Sequence, residues 1–483
     1  MDKIPSIDKT TLFETKDDIL SYLEDIDQSL ENTRLLENLT YSYEELQEQD
    51  GIIPVRATYT FNDSTSLLIF PKPSFDSNKG AELEIALRDN NFLGFTNSLG
   101  AGITFSFGDK EEPERFSKFT PGFNLDYILP FKIGRTTNQW SNVLDFRWCV
   151  EKSLPYFFYT TGLTFAVPFG NNDKHHVEFT VQQSINRNYD YIKYDDALHY
   201  TEYGEIAIPF NICNIDLSTP VYYRPTISLK HNWDADGINE RNVDLKQSPL
   251  LRPGQELYFE RIDWIGKNNF RDGFSVKVGT YIGFDLHTKN PNNLLAPALE
   301  INIKHYKAFD YAGINVNFNG LFGQNTRYPI GALIRGGTDN SLFTGDIYVD
   351  DNNYAFTTSS ALVWNIDFPI HLFTTDWVSF FHAKDTCMEK LFTMANFELQ
   401  FSPFIDIGLL DNKGTKNHFS IYEGIYTSGF ELLIYPCKWK SFVVRGSLGF
   451  DLSKILLDGH GNFDSSWRDS KDWECYFGLG LLF

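Results

Sequence analysis

Residues 274–286 read FSVKVGTYIGFDL, and the order of side chains in this stretch decides the fold. Phe274, Val276, Val278, Ile282, Phe284 and Leu286 fall on one side of an extended chain, opposite Ser275, Lys277, Tyr281 and Asp285. Successive side chains of a strand point to opposite faces, so the stretch has one greasy face and one wet face. The period recurs around it. In LEINIK (299–304) Leu299, Ile301 and Ile303 oppose Glu300, Asn302 and Lys304, and in INVNFN (314–319) Ile314, Val316 and Phe318 oppose three asparagines. AELEIALRD (81–89), VEFTVQ (177–182) and FVVRGSLGFDL (442–452) alternate in the same way. A soluble sandwich also alternates, but these segments run to about 10–13 residues, above the usual ~5–6 and suited to a tilted membrane crossing. Their wet faces carry Glu, Lys, Arg, Asp and Asn repeatedly, and no run of helices or apolar strands remains to cover the greasy ones. Roughly 16 such segments lie between Gly80 and Phe483, the first at 80–89 and the last at 473–483, with 233–272 and 369–394 left as long connections. An even number of antiparallel strands closes without an exposed edge, as lipid demands. The prediction is a mainly β fold, with a 16-stranded antiparallel transmembrane β-barrel over 76–483.

Composition agrees and excludes other classes. The 483 residues hold 42 Lys plus Arg against 64 Asp plus Glu, a net charge of −22 that argues against nucleic acid as a partner. Phe, Tyr and Trp make up 16% of the chain, with 43 Phe against 3 Met. Mean hydropathy is −0.30, and no run of about 18 apolar residues appears, so no transmembrane helix is expected. The five cysteines form no CxxC pair and no zinc-like cluster with histidine. GxSxG, HExxH, P-loop and dinucleotide fingerprints are absent, so neither an enzyme nor a metal or cofactor site is expected.

Residues 1–75 read differently. KDDILSYLEDIDQSLENTRLL (16–36) places apolar residues at approximately helical spacing behind an acidic first turn. NLTYSYEEL (38–46) and IPVRATYTF (53–61) read as two strands around EQDG, and Pro71 and Pro73 mark a linker. This is a small α+β module. The opening MDKIPSIDKTTLFETKDD lacks the basic and apolar regions of a secretory signal, so a processed or truncated start is expected if the rest of the chain enters a membrane.

Two motifs narrow the class. In WECYFGLGLLF (473–483), Cys475, Phe477, Leu479, Leu481 and Phe483 point one way, and Glu474, Tyr476, Gly478, Gly480 and Leu482 the other. Tyr476, Gly478, Leu481 and Phe483 resemble the C-terminal targeting signal of bacterial outer-membrane barrels, an extended edge able to pair by its backbone. The connection QNTRYPIGALIRGGTDNSLFTGD (324–346) carries Gly331, Ile334, Arg335 and Gly336, and FIDIG carries Phe404, Asp406 and Gly408. Together they resemble the loop and thirteenth-strand motifs of the BamA/TamA-type outer-membrane insertase superfamily, the bacterial surface antigen barrels preceded by POTRA domains. Gly337 stands where that family has Phe or Tyr.

The resemblance implies several things. The loop folds into the lumen, where Arg335 meets Asp406; a guanidinium in a desolvated interior needs such a carboxylate partner. Residues 1–75 become a partial POTRA-like module in the periplasm, below an integral outer-membrane barrel. The implied function is assembly or insertion of β-barrel proteins through a seam between the first and last strands. Its partners would be outer-membrane lipid, unfolded barrel clients and periplasmic accessory proteins. The alternatives are a two-partner-secretion-type polypeptide translocator and a passive porin-like channel.

Overall fold

The computed structural model describes residues 12–48, 51–63, 67–76, 80–94, 97–107, 119–148, 156–169, 175–187, 199–215, 219–233, 249–265, 268–286, 294–323, 330–336, 341–344, 356–358, 360–411, 418–440, 442–453, 456 and 473–480. Helix α1 (Lys16–Asn32) comes first, followed by the hairpin β1 (Leu36–Glu45) and β2 (Val55–Asp63). Thr15 caps α1, accepting from the Asp18 amide while the Asp18 carboxylate accepts from the Thr15 amide.

A long meander follows. Its strands are β3 (Leu67–Asp76), β4 (Gly80–Asp89), β5 (Leu99–Phe107), β6 (Phe119–Ile133), β7 (Thr136–Arg147), β8 (Tyr156–Pro168) and β9 (His176–Arg187). Next come β10 (His199–Ala207) with β11 (Phe210–Asn214), β12 (Pro220–Trp233), β13 (Leu250–Ile265), β14 (Phe270–Asp285), β15 (Leu295–Ala308) and β16 (Gly313–Gly323). A three-stranded sheet of β17 (Ile330–Leu333), β18 (Ser341–Thr344) and β19 (Phe356–Thr358) interrupts the meander. It resumes with β20 (Ser360–Asp367) and β21 (Ile370–Thr374), then helices α2 (Trp377–Phe380) and α3 (Glu389–Met394). β22 (Phe397–Asp411), β23 (Ile425–Pro436), β24 (Val444–Asp451) and β25 (Trp473–Leu479) complete it.

Each barrel strand pairs with its neighbours antiparallel, and β25 returns to β3 to close the cylinder. β10 and β11 both pair with β12, and β20 and β21 both pair with β22, so each couple is one strand in two pieces. The barrel therefore has 18 strands rather than the expected 16. The two additions lie where the sequence suggested a linker and a long connection. Pro71 and Pro73 sit inside β3, and Pro253 and Gly254 inside β13, at positions that break a strand signal without breaking the strand. Among the described residues the N-terminal part is one helix and a two-stranded sheet, the elements expected over 16–61, and no POTRA-like module is evident in them.

The distribution of side chains inverts that of a water-soluble protein. Glu84, Asn138, Asn365, Gln400, Asp406 and Glu474 are buried, while Ile85, Ile103, Val181, Ile227, Ile282 and Ile405 are exposed. On β22, Phe397, Leu399, Phe401, Pro403, Ile405, Ile407 and Leu409 share the outward face over about 30 Å along the barrel normal, the thickness of a hydrocarbon core. Among the described residues no helix is long and apolar enough to cross a membrane. Inside, charges are paired across strands. Arg224 reaches Glu178, Glu205 and Glu256; Arg147 reaches Glu82 and Asp145; Lys72 reaches Glu84. The asparagines opposite the apolar face of 314–319 form a ladder, Asn302 to Asn317 and Asn319, and Asn317 to Asn365.

The two rims differ. Gly134–Arg135 and 309–312 make tight turns on the rim where the chain enters β3, and on the same rim only five residues join β11 to β12 and four join β13 to β14. The opposite rim carries the longer connections, including 324–359 with its small sheet. Helix α1 lies against the short-turn rim, with Asp25 paired to Arg261, Asn32 donating to Asp263 and Gln28 donating to the Trp264 carbonyl.

Candidate functional site

The segment after β17 turns down into the lumen, and Ile334, Arg335 and Gly336 are all buried there. The Arg335 guanidinium makes a forked contact with Asp406, Nε to Oδ2 at 2.9 Å and Nη2 to Oδ1 at 2.6 Å. The Arg335 amide also donates to Asp406 Oδ2 at 2.8 Å. Nη1 donates to Asp367 at 2.6 Å and to Glu431 at 3.3 Å. The Phe404 ring lies 3.8 Å beneath the guanidinium carbon, so two residues of FIDIG hold the cation from its edge and its face. Phe404, Asp406 and Gly408 can do this because alternation turns all three inward and sends Ile405 and Ile407 to the lipid side.

Gly336 carries the grip to the last strand. Its amide donates to Glu474 of β25 at 2.7 Å. Its φ is +83°, a left-handed conformation that favours glycine, and a Cβ there would stand 2.9 Å from the Phe450 amide nitrogen. Gly449 on β24 meets it from the wall, where a Cβ would come within 2.7 Å of Gly336 Cα. Arg445 donates to Glu431 at 3.2 Å and lies 4.3 Å from the Tyr476 ring centre. The site thus gathers two guanidinium groups and four carboxylates from β20, β22, β23, β24 and β25 around one loop tip. In a water-poor interior such a network is rigid, because releasing any member leaves an opposite charge buried without its partner.

Of the residues singled out in the sequence, the structure brings Arg335, Gly336, Phe404, Asp406 and Tyr476 into this cluster. Gly331 lies further back, in β17. Gly408 lines the lumen one step along from Asp406, paired with Val363 and Ile425. Gly478 points inward on β25, its bare Cα leaving room for the Tyr476 hydroxyl. Leu481 and Phe483 lie outside the described residues. Asp367, Glu431, Arg445, Glu474 and Gly449 were not singled out. Each is an ordinary inward residue of an alternating strand, and only wall closure makes them neighbours.

The seam beside the cluster is weakly closed. Among the described residues two pairs, Tyr476↔Asp76 and Phe477↔Phe75, join β25 to β3, against ten between β3 and β4 and seven between β24 and β25. Both pairs lie toward the long-connection rim. Toward the other rim β3 holds Pro71 and Pro73, which have no N–H to offer. The β3–β4 ladder runs through both prolines unbroken, so their missing donors fall on the edge facing β25.

A closed antiparallel cylinder, apolar outside and charged within, strapped from inside by one loop, defines a transmembrane β-barrel of outer-membrane type. No protein-family model matches the chain, and no curated protein matches it. Among solved structures it is similar to CdiB from Escherichia coli, with a TM-score of 0.48 at 11% identity over 95% of this chain and 70% of that one. CdiB from Acinetobacter baumannii aligns with a TM-score of 0.46 at 12% identity over 95% and 68%. BamA from Haemophilus ducreyi lacking POTRA domains 1–3 aligns with a TM-score of 0.39 at 11% identity over 95% and 79%. The functional reading therefore rests on the residues of this chain.

Proposed function

We propose that this protein assists the insertion of other β-barrel proteins into an outer membrane, with the edge between β25 and β3 as its working surface. The carrying observation is the seam: among the described residues the first and last strands of a barrel in lipid are joined by two residue pairs, which leaves unpaired backbone groups on Pro71–Ser74 of β3 and Gly478–Leu479 of β25 where the other strand edges are paired. An incoming strand can satisfy those groups by adding to the exposed edge, so its own folding supplies the driving energy and no nucleotide is needed. The loop strut complements this arrangement. By binding β20, β22, β23 and β25 it keeps the wall next to the seam in place while the seam parts.

A second reading, export of a polypeptide through the lumen, is favoured by the seating of α1. Just beyond that helix, Arg34 enters the short-turn mouth, 4.1 Å from the Trp264 ring centre, and donates to Asn269 at 2.8 Å. One experiment separates the two. Phe75→Cys with Phe477→Cys, in a chain whose native cysteines are replaced by serine, locks the seam on oxidation. In phosphatidylethanolamine/phosphatidylglycerol liposomes the oxidised protein should lose its ability to speed folding of an unrelated outer-membrane barrel, and reduction should restore it. Full activity in the locked state would rule out the seam, and export that survives locking would favour the lumen.

A further inference from the structure

The connection between β21 and β22 departs from the tight turns on its rim. Residues 375–396 fold into α2 and α3, with Asp376 capping the first helix through the Ser379 amide. Their packing is aromatic. The Trp377 ring lies 5.9 Å from both Phe380 and Phe381, and Phe381 stacks on Phe392 at 4.9 Å. This run is continuous with the outside of the barrel: Trp377 lies 6.3 Å from Phe397, the last residue of the outward row of β22 on this rim, and Phe373 lies 6.3 Å from Phe397 as well. A register shift between His371 and Phe373 creates that continuity. It turns Phe373, opposite Leu399, to the outer face, while His371, opposite Gln400, faces inward. Beyond the rings, Phe380 is 70% exposed, Phe381 52%, Leu391 56% and Met388 42%, an apolar patch that nothing in the chain covers among the described residues. The polar residues Lys384, Asp385 and Lys390 are exposed within the same segment.

We propose that α2, α3 and the turn between them form a membrane-interface anchor, with Phe380, Phe381, Met388 and Leu391 resting in the headgroup and upper acyl region of the phospholipid leaflet on the short-turn side. The occupant follows from continuity. The patch begins where the lipid-facing row of β22 ends, at the level where a bilayer passes from hydrocarbon to headgroups, and aromatic side chains favour that boundary. The anchor sits on the strands that supply Asp367 and Asp406, so it fixes the depth of the wall that carries the loop strut. This inference rests on the transmembrane reading of the barrel and is independent of whether the protein inserts or exports clients.

The test uses the full chain with its native cysteines replaced by serine, reconstituted in phosphatidylethanolamine/phosphatidylglycerol liposomes. An environment-sensitive fluorophore is placed by Leu391→Cys or by Lys384→Cys. Nitroxide-labelled phospholipid should quench the probe at 391 several-fold more than iodide supplied on both sides, and the order should reverse at 384. Equal iodide quenching at the two positions overturns the anchor. Protection of position 391 from both quenchers also overturns it, and would mean that protein covers the patch. Phe380→Asp with Phe381→Asp should cut the lipid-borne quenching at 391 several-fold while the barrel keeps its heat-modifiable migration; unchanged quenching removes those two rings from the anchor. The probe at 391 in the otherwise unaltered segment decides the matter even where the double variant does not fold.

Discussion

At the scale of single residues, the seat of the loop is organised around Arg335. Arg335 is buried, and Asp406, Asp367 and Glu431 all direct carboxylate oxygens at it. Arg335→Ala would leave those carboxylates facing one another in a site closed to bulk water. Breaking a buried pair from one side costs about 3–5 kcal/mol, so the variant should unfold at clearly lower urea concentration in micelles. Arg335→Lys should fall between the two, because an ammonium supplies the charge but cannot span the forked contact with Asp406. Equal stability of all three proteins would show that the network is dispensable. Gly336→Ala combines a left-handed backbone with an approach of 2.9 Å to the Phe450 nitrogen, so it should weaken the loop's seat even though the charge remains. Arg335 and Asp406 could be named from the sequence because each stands in a short motif that resembles a known family's, Arg335 between Gly331 and Gly336 and Asp406 between Phe404 and Gly408. Glu431 and Glu474 could not, since nothing distinguishes them from the other inward acids of their strands until β23 and β25 stand beside the loop.

At the scale of elements, alternation identified most of the wall, and the same rule explains where it failed. β3 reads LLIFPKPSFD, and β13 begins LLRPG. Proline and glycine are turn signals in isolated sequence, but on a strand edge with one side unpaired, or in a long strand held by both neighbours, the backbone tolerates them. Helix α1 was legible from its spacing and acidic first turn, whereas its seat on the rim was not, since Arg261 and Asp263 are 231 or more residues away in sequence. Two of its acids are poorly placed. Burial raises the pKa of Asp27, and burial followed by the nearby Asp27 charge raises that of Glu31. A carboxyl whose pKa is higher docked than free binds more protons in the docked state, so docking is strongest when it is protonated and weakens as pH rises through the raised value. The helix should therefore grow more resistant to protease as pH falls from neutrality toward the upper carboxylate range. Asp27→Asn with Glu31→Gln should hold that resistance high at neutral pH and flatten its pH dependence. A double variant with the original pH profile would assign the effect to other groups.

At the scale of the whole molecule, a closed barrel is strong because every strand has two partners, and among the described residues this one relaxes that rule between β25 and β3. The strut and the seam are adjacent: Glu474, which receives the Gly336 amide, belongs to the strand that also forms the seam. One edge of β25 is paired along its length to β24, its inward Glu474 side chain holds the loop, and its other edge carries two pairs to β3 among the described residues. The prolines of β3 make the free edge a property of the sequence. If they keep the seam open, restoring donors should close it. Pro71→Val with Pro73→Val returns two N–H groups to the edge facing β25 and adds β-branched side chains suited to a strand. The ladder should extend from Phe75 to position 71, each new hydrogen bond contributing about 0.5–1.5 kcal/mol. Resistance to urea should rise, and amide exchange along 473–479 should slow. Insertion of a client barrel should slow in the same variant, because the edge it needs is occupied. Stability and activity would then move in opposite directions through one pair of substitutions remote from the strut. A variant that gains stability while inserting clients at the original rate would separate the weak seam from the function and leave it as an incidental feature of a proline-bearing strand.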